Sequence, residues 1–180
     1  MKWWLCPVLV LLVCCKGKKK EEEKPGSFPV LSYIKSQVAH VDTSLYSIIK
    51  VVTVDSTSDT TYIRREDFRK EARDFLELPD IASGKWKDDY TEEKSYDPLL
   101  ELAVLVYTAK EADATIEKEQ VYIQPGNGEE DKVKTLIIDQ VTGTTRKNLV
   151  WNVDSHFQIV TRTSKEDGSE QNVITKVIWK

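Results

Sequence analysis

Apolar residues return at helical spacing at Leu31, Ile34, Val38 and Val41, directly after Ser27 and Pro29. That period turns one stripe of a helix toward a core, with Ser27 and Pro29 suited to its cap and first turn, and it stops at Asp42-Thr43-Ser44. The pattern then changes. Tyr46 to Val54 is crowded with β-branched and aromatic side chains on both faces, which predicts a strand that is central in its sheet or packed beneath a helix. Asp55 to Thr61 is polar and reads as a strand-to-helix turn with hydroxyl and carboxylate caps. Phe68, Ala72, Phe75 and Leu76 then form a second helical stripe within Arg64 to Leu78, closed by Pro79.

From there the chain becomes repetitive in kind. Ile81 to Tyr96 mixes Trp86, Tyr90 and Tyr96 with charges, as a loop and short strand would. Asp97-Pro98 suits a helix start, but Val104, Val106 and Tyr107 tilt Leu99 to Ala109 toward a strand. Strands are expected at Thr115 to Gln124, Lys132 to Gln140, Arg146 to Val153, His156 to Arg162 and Glu170 to Trp179. The turns between them, Pro125-Gly126-Asn127-Gly128, Thr142-Gly143, Asp154-Ser155 and Glu166-Asp167-Gly168, are short enough for antiparallel neighbours. Leu149, Trp151 and Val153, Phe157 and Ile159, and Val173, Val177 and Trp179 all fall in one alternating phase, so one face of the meander is apolar. The expected fold is α+β: two N-terminal helices packed on a long antiparallel β-meander, as one domain over residues 30–180.

Residues 1–29 have a different character. Lys2 precedes an apolar run from Trp3 to Val13, interrupted only by Pro7, which is the plan of an export signal over residues 1–14. A transmembrane helix needs roughly 20 apolar residues, and this run meets Lys16, Lys18, Lys19 and Lys20 almost at once. Leu12, Val13, Cys14 and Cys15 resemble the lipobox of bacterial lipoproteins: an aliphatic residue three places before the modified cysteine, a tolerant position, a small residue, then the cysteine. Cys14 stands where Gly, Ala or Ser is usual. The resemblance implies cleavage before Cys15 and lipid on that residue, with Cys14 the second candidate. More than one acyl chain, at about 0.8 kcal/mol per buried methylene, makes such attachment durable.

Residues 15–29 are then the acylated cysteine and a charged tether, since KGKKKEEEKPGSFP holds too little apolar surface to fold. Each lysine near the headgroups gains about 1 kcal/mol from anionic lipid. Lys20-Glu21-Glu22-Glu23 resembles a displaced version of the acidic surface-export tract of Bacteroidetes-type lipoproteins; a solvated spacer has the same composition.

Composition narrows the chemistry of the body. Cys6, Cys14 and Cys15 are the only three cysteines of the 180 residues, so residues 30–180 hold no disulfide, zinc-thiolate site or cysteine nucleophile. A formal net charge of −4 and a pI near 5.4 argue against a nucleic-acid partner, which calls for a clustered basic face. Asp55, Thr57, Asp59, Thr61 and Glu66 are spaced like a calcium loop, but Thr60 occupies the position of its turning glycine. His40 and His156 are far apart in sequence and read as surface histidines, and the paired acids Asp88 with Asp89 and Glu92 with Glu93 as solvated loop residues. No hydrolase elbow, phosphate-cradling loop or zinc-protease helix occurs.

No catalytic residue, metal or cofactor is therefore assigned, and the chain is expected not to be an enzyme. The element order, with the Tyr46 to Val54 strand, the Arg64 to Leu78 helix and the Trp151, Phe157 and Trp179 pattern, resembles uncharacterised Bacteroidetes envelope lipoproteins. That resemblance implies location at the cell envelope, chiefly the outer membrane, and no activity. A binding or structural module for an envelope protein or polymer is the first expectation. The second is a carrier for an apolar ligand or lipid, resembling localisation carriers in which a curved sheet closes over helices.

Overall fold

The stripe that opens at Ser27 becomes α1 (Val30–Thr43), which buries Val30, Ile34, Val38 and Val41. The structure is a computed structural model describing residues 27–126 and 128–180; the expected export signal, the expected lipobox with Cys14 and Cys15, and the expected tether to residue 26 lie outside the described residues. Pro29 stands before the helix and contributes no side-chain cap, and Leu31 is only partly buried.

After α1 the chain departs from expectation. β1 (Ile48–Val54) is followed at once by β2 (Thr57–Ile63) in a full antiparallel register, Ile48 opposite Ile63 and Val54 opposite Thr57. The segment read as a turn with caps is thus a hairpin. Asp55 takes φ 53° at its tip, a left-handed conformation that a short Asp side chain tolerates better than most. Asp59 and Thr61 share one side of an extended strand instead of curling round a common centre. Polarity hid this strand because β2 lies at the sheet edge, where Ser, Thr and Asp discourage pairing with other chains.

The second helix is also revised. Arg64 to Leu78 holds a 3₁₀ turn (Arg65–Asp67) and two single turns, α2 (Phe68–Glu71) and α3 (Arg73–Leu76), which break at Ala72. So short a segment gains little from helix propagation, and burial of Phe68, Ala72, Phe75 and Leu78 decides its path. The expectation of two N-terminal helices packed as a layer on the meander is corrected accordingly. One long helix precedes the sheet, and the remaining helical turns follow two strands.

A further 3₁₀ turn (Lys87–Asp89) leads into β3 (Tyr90–Asp97), β4 (Leu102–Ala109), β5 (Ile116–Gln124), β6 (Lys132–Thr142), β7 (Thr145–Asn152), β8 (His156–Ser164) and β9 (Glu170–Trp179). All belong to one nine-stranded antiparallel sheet ordered β2-β1-β9-β8-β7-β6-β5-β4-β3. The class is α+β, dominated by the sheet. β3 to β9 run as a meander, and β1 then docks on β9 with Ile48 opposite Trp179. The last strand is therefore internal.

The core lies on one face, where Ile48, Val121, Leu136, Ile138, Leu149, Trp151, Phe157, Val177 and Trp179 meet the buried residues of α1 and of the helical turns. Its centre is aromatic. Trp151 lies 5.2 Å from Phe75, 5.3 Å from Trp179 and 5.4 Å from Phe157, centroid to centroid, while Phe68 sits 5.3 Å from Trp179. Phe75 and Phe68 meet the tryptophans edge-to-face, Phe157 stacks on Trp151 and Trp179 is tilted against it; aromatic pairs add about 0.5–1.5 kcal/mol beyond area burial. Two lysines in the inward phase are explained by helical carboxylates above them: Lys50 meets Glu71 at 2.7 Å and Lys147 meets Asp74 at 2.8 Å.

Trp151 has no exposed surface, so Trp151→Ala is expected to cost about 3–5 kcal/mol, as other aromatic core truncations do. Denaturant melts of the full chain measure this; a loss below about 1 kcal/mol, typical of surface positions, would contradict the packing described.

Candidate functional site

Alternation along each strand sends every second residue away from the core. On that outer side one row crosses all nine strands in register: Tyr62, Ile49, Ile178, His156, Asn152, Thr135, Tyr122, Val104 and Ser95. The next row reads Thr60, Val51, Lys176, Gln158, Val150, Ile137, Gln120, Val106 and Glu93. None of the aliphatic residues in these rows joins the core cluster. Ile49, Val51, Ile137, Val150 and Ile178 are half-buried by their neighbours within the sheet. The result is an open face, closed only near Val104 at 8% exposure, on which aliphatic and hydrogen-bonding side chains are intermixed.

A polar relay runs along the first row. The Thr135 hydroxyl donates to Asn152 Oδ1 at 3.0 Å, which turns the Asn152 amide nitrogen toward His156 Nε2 at 3.1 Å. His156 Nδ1 lies 2.9 Å from the Ser155 hydroxyl. Burial, and secondarily the Lys176 charge, lower the His156 pKa, so the imidazole is held neutral at pH 7 with Nε2 accepting from Asn152 and Nδ1 donating to Ser155. Toward the other end of the strands Asn148 Nδ2 donates to Asp139 Oδ1 at 2.7 Å, and Arg146 meets Glu117 at 3.1 Å. These residues, with Val160 and Arg162, line a shallow groove of about 360 Å³. Amides, an uncharged imidazole and paired charges beside aliphatic patches are groups for non-covalent recognition.

The histidines do not come together. His40, at the end of α1, reaches the Tyr46 hydroxyl at 3.5 Å, whereas His156 stands on the open face. Glu92 and Glu93 are neighbours in β3 and so project from opposite faces of the sheet; Asp88 and Asp89 are exposed on a 3₁₀ turn. Among the described residues no three His, Cys, Asp or Glu side chains stand close enough to hold a metal ion.

Glu119, on the core side of the sheet and apart from the open face, is the buried titratable residue that sequence reading misses. It is 2% exposed on the inner face, opposite Tyr107 on β4 and Ile138 on β6, and its Oε2 has no hydrogen-bond partner. Burial first, and the charge of Asp80 second, push its pKa to about 8. The signal was available: Glu119 shares the alternating phase of Val121 and Ile123, where a charge has no place in an apolar layer. Burial likewise raises the pKa of Tyr90, whose hydroxyl donates to the Ile116 carbonyl at 3.0 Å, and of Tyr107.

Compared with protein families, curated proteins and solved structures, the chain matches none of them.

A carboxyl whose folded pKa lies above its ordinary 4.5 favours folding fully below that value, and the contribution is lost as pH rises through about 8. The unfolding midpoint is therefore expected to fall between pH 5 and pH 9, values chosen to bracket that titration. Glu119→Gln should flatten the dependence. An unchanged slope in this variant would assign it to other groups.

Proposed function

We propose that the chain is a lipid-anchored protein of the bacterial cell envelope, chiefly of the outer membrane, whose domain is a non-enzymatic binding module. The observation that carries the binding role is the open face: rows of aliphatic and amide side chains, each crossing all nine strands, that no part of the core cluster covers. A face of this kind suits an envelope protein or polymer that lies across the strands and exchanges hydrogen bonds with Asn148, Asn152, Gln158 and Gln120. The anchor rests on sequence: Lys2, the Trp3 to Val13 run and the lipobox that ends at Cys15. The likeness to Bacteroidetes envelope lipoproteins belongs to the same proposal. Among the described residues no helix is long and apolar enough to cross a membrane.

The alternative, a carrier for an apolar ligand or lipid, calls for an apolar cavity under the sheet. That space holds the touching rings of Phe68, Phe75, Trp151, Phe157 and Trp179, which favours the binding module.

Two measurements test the proposal. Mass spectrometry of the mature chain from envelopes should give an N-terminus at Cys15 bearing acyl groups, and Cys15→Ser should accumulate the full-length precursor; an unacylated mature chain would remove the anchor. For the face, a photo-crosslinking residue at Val150 should give one discrete adduct in cells, and the same residue at Thr61 on the β2 edge should not. The Val150 adduct should disappear when Gln158 is replaced by Arg. Equal adducts from both positions would defeat the assignment of the open face.

A further inference from the structure

On the core side of the sheet, lysines that are half covered meet an acid from the layer above: Lys50 has Glu71 and Lys147 has Asp74, the two lysine side chains being 28% and 29% exposed. Lys176 is half-buried too, but on the open side, in the row that runs Thr60, Val51, Lys176, Gln158, Val150. It enters no ion pair with any described residue. Val51 and Gln158 flank it in the row, and Ile174 and Ile178 stand two places before and after it on β9, so no acid is next to it on that face. Its charge is felt locally, since, second to burial, it lowers the His156 pKa. A half-covered ammonium without a counter-charge is a cost that an incoming carboxylate relieves.

The rows beyond Lys176 continue in a regular step. Ile174 lies opposite Val160 and Asn172 opposite Arg162, so the β9–β8 seam presents a cation, an aliphatic pair and a second cation at intervals of two residues, about 6.6 Å each. Arg162 also stands directly opposite Arg146 on β7, and like charges so placed are unfavourable across a strand pair. Arg146 is satisfied by Glu117, and Asp139 by Asn148. Arg162 enters no ion pair with a described residue, the acids Asp55 and Glu170 at the margin included. The groove of about 360 Å³ on this face thus holds an unpaired cation at its β8 side.

We infer that the partner on the open face is an extended acidic peptide segment, which lays one carboxylate on Lys176, an aliphatic side chain between Ile174 and Val160, and a second carboxylate on Arg162. The inference rests on the binding-module reading and names the chemistry of its partner. Charge complementarity selects that chemistry: the segment supplies above Lys176 what Glu71 and Asp74 supply above Lys50 and Lys147. An extended chain sends every second side chain to one side at about 6.6 Å, which is the step of the seam. Running obliquely, it passes from β9 to β8, where Gln158 offers its backbone N–H an acceptor that an arginine in that place would lack. The middle step is aliphatic, with Ile174 36% exposed, and none of the six side chains along the seam is a ring on which a sugar could stack.

The probe is a capped peptide, Ser-Glu-Thr-Leu-Thr-Glu-Ser, titrated into the full chain in zwitterionic detergent and followed by amide NMR, with the same peptide carrying Gln for both Glu as control. Amides of Lys176, Ile174, Val160 and Arg162 should shift and saturate, and the Gln peptide should bind several-fold more weakly. Lys176→Gln should cost a similar factor, whereas Lys176→Arg, which keeps the charge, should retain binding and so separate a lost contact from lost folding. In cells, Lys176→Glu should remove the adduct of the Val150 photo-crosslinker. Absence of a saturable shift with the Glu peptide, equal affinity for the two peptides, or an adduct that survives Lys176→Glu would overturn the acidic partner and leave the open face standing. Polygalacturonate shifting these amides where the peptide does not would overturn the peptide in favour of an acidic glycan. No adduct at Val150 in the parent would count against the open face as the site used in cells, with the titration still readable.

Discussion

Five rings from three separate stretches of chain must meet before this sheet has an inside. Phe68 and Phe75 come from the helical turns, Trp151 and Phe157 from the β7–β8 hairpin and Trp179 from the last strand. Their cluster explains why β9 lies inside the sheet and why β1 and β2 join it beside β9. It also explains why the 64–78 segment gives up a regular helix, since bringing both phenylalanines onto Trp151 outweighs a few lost intrahelical bonds. Lys50 with Glu71 and Lys147 with Asp74 fence this region with partly exposed ion pairs, whose individual worth is about 1 kcal/mol or less. The rings, and not the charges, hold the layers together.

Much of the architecture was legible from periodicity. Glu170 to Trp179 is a strand over its whole predicted length, and the other expected strands of the meander differ from the observed ones by a few terminal residues. These strands are half-buried, so alternation marks them. Where burial does not alternate, the signal fails: β2 is exposed at nearly every position and looked like a loop, although Thr57, Thr60 and Thr61 carry the branched side chains of a strand. The helical stripe at Phe68, Ala72 and Phe75 named the buried residues correctly but could not show the break at Ala72, because burial of the same residues is compatible with either path.

The candidate site was less legible. His156 was seen as a surface residue, yet its part in the relay through Asn152 and Thr135 depends on registers among β6, β7 and β8 that no single strand encodes. Glu119 is visible in the sequence as a charge in an inward phase. Its meaning emerges only with Tyr107, Ile138 and Asp80 around it, groups drawn from two strands and a loop distant in the chain. Cooperative properties of this kind arise from the assembled sheet, so sequence-local reasoning reaches them last.

The internal position of β9 also sets a timetable for folding. Neither β1 nor β8 can complete its hydrogen bonds until that strand is present; a nascent chain emerging from its N-terminus therefore makes the β1–β2 hairpin long before β1 can dock on β9. Pairing the first strand with the last makes the dominant contacts long in sequence, a topology associated with slow folding. Until β9 arrives, the aromatic face of the sheet lacks Trp179 and stays open between β1 and β8.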